Sequence, residues 1–259
     1  MFGNMKVKDI NEFVNNIDEN DYMKYIDILS NDERKSVQKI ALKLSKKLDA
    51  LRKEEERIHR IKEFERWSYE NGYTYIGGID EAGRGPLAGP VVAAVVVFDK
   101  DVDIKYINDS KKLSEEKRNE LFETIKNEAL DYGIGIVDNG KIDEINILNA
   151  TYLAMKKAIN NLKNKPDCLL IDAVTIPNID IAQKAIIKGD SKSISIAAAS
   201  ILAKVTRDKL MYEYDDKYSE YGFSKHKGYG TKEHYEAIKN QGITPIHRRS
   251  FLKSILNGD

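Results

Sequence analysis

Cysteine is almost missing from this chain, in which Cys168 is the only one among 259 residues. An internal disulfide is therefore excluded, and an isolated thiol fits a reducing compartment. Because Cys168 lies in the apolar stretch of residues 168–171, we predict a core side chain rather than a nucleophile. The N-terminus does not resemble a signal peptide and no apolar run approaches ~18 residues, so we expect a cytoplasmic protein without a membrane partner.

Net charge is also missing, because 42 Lys and Arg side chains balance 42 Asp and Glu. This balance excludes a polycation that binds nucleic acid through bulk charge alone. The charges are unevenly distributed: residues 71–190 carry 15 basic and 19 acidic side chains, whereas residues 191–259 carry 12 and 8. An acidic centre beside a basic flank suits a metal site that also holds a polyanion.

The first 70 residues contain no proline and only one glycine, Gly3. Residues 32–70 are predicted to form one long helix or two consecutive helices, because Lys, Glu, Leu and Ile dominate there. An apolar stripe at helical spacing supports this, made of Val37, Ile40, Ala41 and Leu44. We predict an N-terminal helical extension over residues 1–71. It either contacts a partner or nucleic acid or, in the interpretation we prefer, is a solvated helical segment packed on the main domain.

Residues 72–259 are predicted to form the main domain, in which apolar runs typical of strands alternate with helical patterns. The predicted strands are residues 74–79, 91–98, 133–137, 168–171 and 184–188, and the predicted helices are 114–130, 142–162, 193–210 and 231–240. Three strands come early and the last two each follow a helix. This order predicts an α/β fold with a mixed sheet, in which helical crossovers follow an antiparallel meander.

Two adjacent carboxylates, Asp80 and Glu81, stand where a predicted strand meets a loop broken by glycine and proline. At ~4 Å and an effective dielectric near 20, two like charges repel by ~4 kcal/mol, which a divalent cation would relieve. The alternative is a surface turn that happens to carry acids. Asp172 and Asp190 follow two later strands, and strand ends in such sheets converge at one edge.

Four acids at three strand ends predict one metal site, although Asp190 taken alone is more often a turn former or a helix cap. Oxygen ligands without His or Cys favour Mg2+ or Mn2+ over zinc.

Six segments in matching order resemble the ribonuclease HII family, the type 2 ribonucleases H. They are GGIDEAGRGPLAGPVVAAVVVF (77–98), NDSKKLS (108–114), INILNATYLAM (145–155), LLIDA (169–173), IKGDSKSISIAAASILAKVTRD (187–208) and HKGYGT (226–231). The resemblance extends from about Tyr73 to the C-terminus. The sister type, ribonuclease HIII, usually has a different glycine loop and a sheet-containing N-terminal module, so type 2 is preferred.

The resemblance implies a ribonuclease H-like five-stranded mixed sheet flanked by helices, with C-terminal helices. It implies an endonuclease that hydrolyses the RNA strand of RNA/DNA hybrids and cuts 5′ to single ribonucleotides embedded in duplex DNA, as in the removal of misincorporated ribonucleotides. By the same resemblance, Asp80, Glu81, Asp172 and Asp190 hold two Mg2+ or Mn2+ ions. Two-metal hydrolysis of this kind leaves 5′-phosphate and 3′-hydroxyl ends.

The resemblance further implies that Gly83, Arg84, Gly85 and Tyr229 recognise the ribonucleotide–DNA junction, where the 2′-hydroxyl distinguishes RNA from DNA. Without the resemblance, Tyr229 is equally well a loop tyrosine packed on a helix. The candidate phosphate contacts are Arg84, Lys111 and Lys112. A possible basic track extends them, comprising Lys192, Lys204, Arg207, Lys225 and Lys227. By default, exposed lysines are merely solvated.

Three rival functions remain at this stage. One is another ribonuclease H-like nuclease, which would not act on a single embedded ribonucleotide. A non-catalytic hybrid-binding protein is disfavoured, because four carboxylates at a polyanion site would weaken binding. A nucleotide-phosphate cradle lacks the Gly-Lys-Ser/Thr end of a P-loop.

Overall fold

The structure, a computed structural model, describes residues 2–253. It separates into two compact units, of which one ends at His59 and the other begins at Arg60. The predicted functional boundary between residues 71 and 72 lies twelve residues further along and stays a prediction. Within the described range, no helix is both long and apolar enough to cross a membrane.

The first unit is helical. It contains α1 (Val7–Asn15), α2 (Tyr22–Ser30) and most of α3 (Lys35–Ile61), which runs on into the second unit. All four residues of the predicted apolar stripe are buried, and they pack with Ile10 and Leu29 of the two shorter helices. The prediction of consecutive helices is confirmed, because α4 (Glu63–Glu70) follows α3.

The second unit is built on a five-stranded mixed sheet. Its strands are β1 (Ile76–Ala82), β2 (Val91–Val97), β3 (Asp131–Val137), β4 (Cys168–Asp172) and β5 (Ala182–Ile186), in the spatial order β3-β2-β1-β4-β5. The pairs β1–β2 and β2–β3 are antiparallel, whereas β1–β4 and β4–β5 are parallel. The predicted meander followed by crossovers is therefore confirmed.

Besides α4, which also lies in the second unit, five helices accompany the sheet: α5 (Glu115–Glu128), α6 (Asn139–Asn160), α7 (Ile194–Lys217), α8 (Phe223–His226) and α9 (Lys232–Gln241). Helices α6 and α7 lie on opposite faces. Ile79 packs with Ala154 of α6, whereas a Cβ on the preceding Gly78 would come within 2.2 Å of the Ser195 backbone in α7. Because successive residues of a strand face opposite sides, β1 lies between the two helices.

Two predicted strands are displaced. The first is expected at residues 74–79, but β1 begins at Ile76 and ends at Ala82, so Asp80 and Glu81 lie inside the strand and not at its junction with the loop. The last strand was expected at residues 184–188, but β5 ends at Ile186, where its pairing with Asp172 of β4 stops. Ile187 is 74% exposed. Asp190 consequently lies beyond the strand, in a 3-10 turn formed by Gly189–Ser191.

Candidate active site

The acidic side chains meet at one edge of the sheet. In the parallel pair of β1 and β4, Ile79 lies opposite Ile171, so Asp80 and Asp172 come next to each other as the following residues. The turn that carries Asp190 reaches the same place, because the backbone N–H of Gly189 donates to Asp172 Oδ1 at 2.7 Å. The structure therefore brings together acids from three separate segments of the chain.

These carboxylates repel one another in a poorly solvated place. Asp80 is only 6% exposed, and its burial and the neighbouring charges of Glu81 and Asp172 raise the pKa of its carboxyl well above the usual value. Burial also raises the pKa of Glu81, whereas Arg84, 3.3 Å away, opposes the rise. The pKa of Asp190 is raised by burial and then by the charges of Asp109 and Asp172.

The donor chemistry fits a hydrated divalent ion. No three or more His, Cys, Asp or Glu side chains among residues 2–253 are arranged to enclose a metal ion by themselves. Mg2+, however, usually keeps several waters and binds one or two carboxylates together with substrate phosphates. A buried carboxylate such as Asp80, whose pKa two acidic neighbours raise, is where added positive charge relieves the most repulsion.

The glycine loop after β1 has a shape that only glycine permits. Gly83 has φ +94°, and a Cβ on it would lie 2.1 Å from Nε of Arg207 and 2.7 Å from the carbonyl oxygen of Pro90. Gly85 is exposed, and a Cβ there would lie 3.6 Å from Cε1 of Tyr229. The loop and the tyrosine therefore face each other.

A buried guanidinium holds this loop from behind. Arg248 is fully buried and donates to three backbone carbonyls: to Gly83 at 2.6 Å, to Arg84 at 3.0 Å and to Gly89 at 3.0 Å. Burial lowers the pKa of Arg248 to about 9, and the charge of Arg207 adds to this effect. Arg248 thus fixes both ends of the glycine loop through hydrogen bonds to a charged donor, the stronger kind.

Arg207 performs the same task next to it, which corrects its placement in a surface track of phosphate contacts. Its side chain is 1% exposed and donates to the carbonyls of Pro90 at 3.0 Å, Ala88 at 3.1 Å and Lys227 at 3.0 Å. The last bond ties the glycine loop to the segment that carries Tyr229. Within residues 2–253, neither Arg207 nor Arg248 has a carboxylate at ion-pair distance.

Tyr229 presents its ring from a firmly bonded backbone. The residue is 46% exposed, its N–H donates to the carbonyl of His226 at 2.9 Å, and its own carbonyl lies 2.9 Å from His234 Nδ1. His234 Nε2 lies in turn 3.0 Å from His247 Nε2. Burial lowers the pKa of both His234 and His247 to about 4, so both rings are neutral at pH 7.

A cleft of about 550 Å3 joins most of these features. Its lining residues are Glu81, Ala82, Gly83, Arg84, Gly85, Ser110, Lys111, Ser200, Lys204, Arg207 and Tyr229. Lys111 lines the cleft, and its role as a phosphate contact stays a prediction. Lys112 does not line the cleft, and its amine lies 3.7 Å from Asp109. Asp80, Asp172 and Asp190 do not line this cleft either.

Three polar residues of the site received no role from the sequence. Ser110 and Ser200 lie with their hydroxyl oxygens 2.9 Å apart, and the Ser200 hydroxyl partly opposes the raised pKa of Asp80. Helical spacing could have revealed Ser200, because it lines the cleft together with Lys204 and Arg207, four and seven residues further along α7. Arg248 had no such signal.

Two family models match the chain. One, described as Ribonuclease HII, matches residues 77–254, and the other, described as Ribonuclease HII N-terminal domain, matches residues 6–69.

Curated relatives carry the name Ribonuclease HII. The one from Clostridioides difficile (strain 630) is 70% identical over 250 residues, which are 96% of this chain and 98% of the relative. The one from Caldanaerobacter subterraneus subsp. tengcongensis is 61% identical over 208 residues, covering 80% and 86%. Among solved structures, the ribonuclease H2 from Pyrococcus horikoshii OT3 is 33% identical with a TM-score of 0.57, covering 68% of this chain and 93% of that chain.

Proposed function

This chain belongs to the ribonuclease HII family of metal-dependent endoribonucleases, and we propose that it both hydrolyses the RNA strand of RNA/DNA hybrids and cuts 5′ to a single ribonucleotide embedded in duplex DNA. The second activity would serve the removal of misincorporated ribonucleotides. The observation that supports it is the cleft, in which Glu81 lies together with the glycine loop and Tyr229. Glu81 would thus act at the scissile phosphate, while the glycine loop and Tyr229 would bind the neighbouring ribonucleotide.

We assign the metal ligands to Asp80, Glu81, Asp172 and Asp190. Two bound divalent ions, Mg2+ or Mn2+, would supply an activated water and stabilise the leaving 3′ oxygen, which leaves 5′-phosphate and 3′-hydroxyl ends. Asp80 contributes the most buried carboxylate, and the Ser200 hydroxyl favours its ionised form. Asp172 is held in place by the Gly189 N–H.

We assign recognition of the ribonucleotide to the glycine loop and Tyr229, which line the cleft. Gly83, Arg84 and Gly85 line the cleft, and their backbone N–H groups would bond a 2′-hydroxyl, which both donates and accepts hydrogen bonds. The ring of Tyr229 faces this loop and would pack against the sugar at the junction. Arg84, Lys111 and Lys112 are exposed cations from which phosphates would receive charge-assisted hydrogen bonds.

The domain assignment follows the same division. Catalysis and recognition use residues between 72 and 259, and the helical extension over residues 1–71 contributes no ligand to this site in the proposal.

Three duplexes of one sequence test the proposal: an RNA/DNA hybrid, a DNA duplex with one ribonucleotide, and the all-DNA duplex. Each is incubated with the full-length protein and increasing Mg2+ or Mn2+. We expect cleavage of the hybrid and one cut at the 5′ side of the single ribonucleotide, with the all-DNA duplex intact. Cleavage of the hybrid without the junction cut would overturn the recognition half of the proposal. No cleavage with either metal would overturn both halves.

A further inference from the structure

The first two-thirds of α3 are strongly basic in a chain that has no net charge. Between Lys35 and Lys53 the sequence has seven Lys or Arg residues and a single acid, Asp49. Three consecutive glutamates follow directly, at positions 54–56. The excess of positive charge in α3 is therefore confined to the first two-thirds of the helix.

Five lysines of this part share one face of the helix. They are Lys35, Lys39, Lys43, Lys46 and Lys53, all exposed. Their spacing of three, four or seven residues places them in one stripe. The stripe is opposite the buried stripe centred on Leu44, and it extends for about 27 Å at 1.5 Å per residue.

Within the described residues, acids pair with several other surface lysines but with none of these five. Lys117 lies 2.8 Å from Glu120, and Lys141 lies 2.6 Å from Glu144, each one helical turn away. None of the five lysines of the stripe has an ion-pair partner within the part of the chain that the structure describes. Their positive charge remains available to a ligand.

We propose that this basic face, formed by the five lysines, binds the phosphate backbone of a nucleic-acid duplex. A row of unpaired cations is complementary to a row of phosphates, and each contact gains free energy by releasing condensed counterions. The inference rests on the proposed function only in that the enzyme's substrate is such a duplex. It adds a second contact surface, which binds phosphates and does not distinguish base sequence or RNA from DNA.

A membrane surface fits this face less well. A helix that lies in a membrane interface needs a broad apolar face beside its cations. The apolar side of α3 is already buried in the core of the first unit, and Leu42 is the one exposed large apolar side chain of the helix. The basic face therefore presents charge but few apolar side chains that could insert into a membrane.

The test measures binding of an all-DNA duplex of about 30 base pairs, roughly 100 Å long, by the full-length protein without divalent metal. The triple variant Lys39→Gln, Lys43→Gln, Lys46→Gln removes three charges, and glutamine retains helix propensity. Between about 50 and 200 mM salt, we expect roughly tenfold weaker binding and a log–log salt slope reduced by up to about 2.7.

The matched control is Lys6→Gln, Lys8→Gln, Lys24→Gln, which removes the same charge from exposed lysines at α1 and α2 of the same unit. We expect less than about a twofold change, because these lysines lie outside the basic face. Equal losses in the two variants would reduce the effect to net charge and overturn the proposal, as would unchanged binding in the first. If the first variant lost binding to vesicles of phosphatidylcholine and phosphatidylserine while duplex binding persisted, the face would belong to a membrane contact instead.

Cleavage assays separate this inference from the proposed function. With a ribonucleotide-containing duplex, the triple variant should keep its kcat and show a raised KM, because the face is not part of the cutting site. If the unsubstituted protein cleaved none of the duplexes, the proposed function would be overturned, but the comparison of duplex binding between the two triple variants would still test the basic face. If the variant lost kcat with an unchanged KM, the basic face would not be a binding surface.

Discussion

The site has a carboxylate side, with Asp80, and a loop side, with Arg207 and Arg248, and the two sides treat buried charge in opposite ways. On the carboxylate side, burial and acidic neighbours raise the pKa of Asp80, which nothing positive in the described chain contacts. On the loop side, Arg207 and Arg248 are equally buried, yet each guanidinium donates to three backbone carbonyls. The carboxylate side is therefore arranged to receive charge from outside, whereas the loop side is complete by itself. The carboxylate side is stabilised when it binds ions, whereas the loop side has its final shape before the substrate binds.

The largest effect is expected when the carboxylate side loses one charge, in Asp80→Asn. Cleavage should fall by at least about 10³-fold, since metal stabilisation of the transition state is worth several kcal/mol. The free energy of unfolding should stay the same or rise without metal, because a repelling charge is removed. Initial rates and thermal melting with and without Mg2+ measure both effects.

Asp180→Asn, at an exposed position of the same unit, is the control and should behave like the unsubstituted protein. In the unsubstituted protein Mg2+ should raise the melting temperature, and in Asp80→Asn this rise should be much smaller. Mg2+-dependent cleavage that survives in Asp80→Asn would contradict the metal assignment.

The next largest effect is expected when the loop side loses one cation, in Arg248→Met. Three carbonyls lose their donor, which should lower the free energy of unfolding by about 2–4 kcal/mol. Cleavage measured well below the melting temperature should fall by roughly 10²-fold, the cost of a misplaced substrate contact. The rise in melting temperature with Mg2+ should persist, because the carboxylates are untouched.

The neighbouring Arg249→Met serves as control, since Arg249 is exposed. If Arg248→Met abolished the rise in melting temperature with Mg2+ as Asp80→Asn does, the carboxylate side and the loop side of the site would not be separate.

A smaller and more selective effect is expected from Tyr229. In Tyr229→Ala, cutting at a single ribonucleotide should fall by roughly 10–100-fold, about the value of one lost stacking contact. Hybrid cleavage should fall less, because a continuous RNA strand offers other 2′-hydroxyls. The ratio of the two rates is the measurement. Tyr235→Phe, an exposed tyrosine outside the cleft, should leave the ratio unchanged, and an unchanged ratio in Tyr229→Ala would refute the junction role.

The smallest effect concerns pH and the neutral histidines behind Tyr229. Burial lowers the pKa of His234 and His247 to about 4 from 6.5, so the unfolded chain binds more protons between these values. Stability is therefore complete above about pH 6.5 and lost as pH falls towards 4, by under about 1 kcal/mol per histidine between about pH 7 and 6. His226, whose ring stacks on that of His234 with centroids 4.4 Å apart, adds to the lowering of the pKa of both His234 and His247.

Melting temperatures across this pH window provide the measurement. His247→Gln should flatten the profile. A profile equally steep in His247→Gln would mean that other groups, such as the carboxylates, govern the acid response.

The sequence alone is enough to predict the sheet and the acids at its edge, for a simple reason. Residues 76–79, 91–97 and 168–171, which form most of β1, β2 and β4, are all apolar or glycine, and acids that follow such runs lie at a common edge of the sheet. The end of β5 could not be read in the same way. Ile187 extends the apolar run, but the pairing of Ile186 with Asp172 decides where the strand stops.

The buried arginines lay beyond prediction. An arginine without an acidic partner is normally assigned to the surface, and Arg207 was placed there. Its burial depends on carbonyls of Ala88 and Pro90, more than a hundred residues away in sequence. The same holds for Arg248, whose partners Gly83 and Arg84 come together with it only in the folded chain.

The burial of Cys168 has a practical consequence for spectroscopy. Its side chain is 2% exposed, and burial raises the pKa of the thiol, which keeps it from forming the reactive thiolate. A cysteine introduced at an exposed position such as Lys43 or Lys111 would therefore be the one thiol that reacts with a maleimide dye or a spin label. Fluorescence or distance measurements on the folded protein could start from the natural sequence, without removal of a background cysteine.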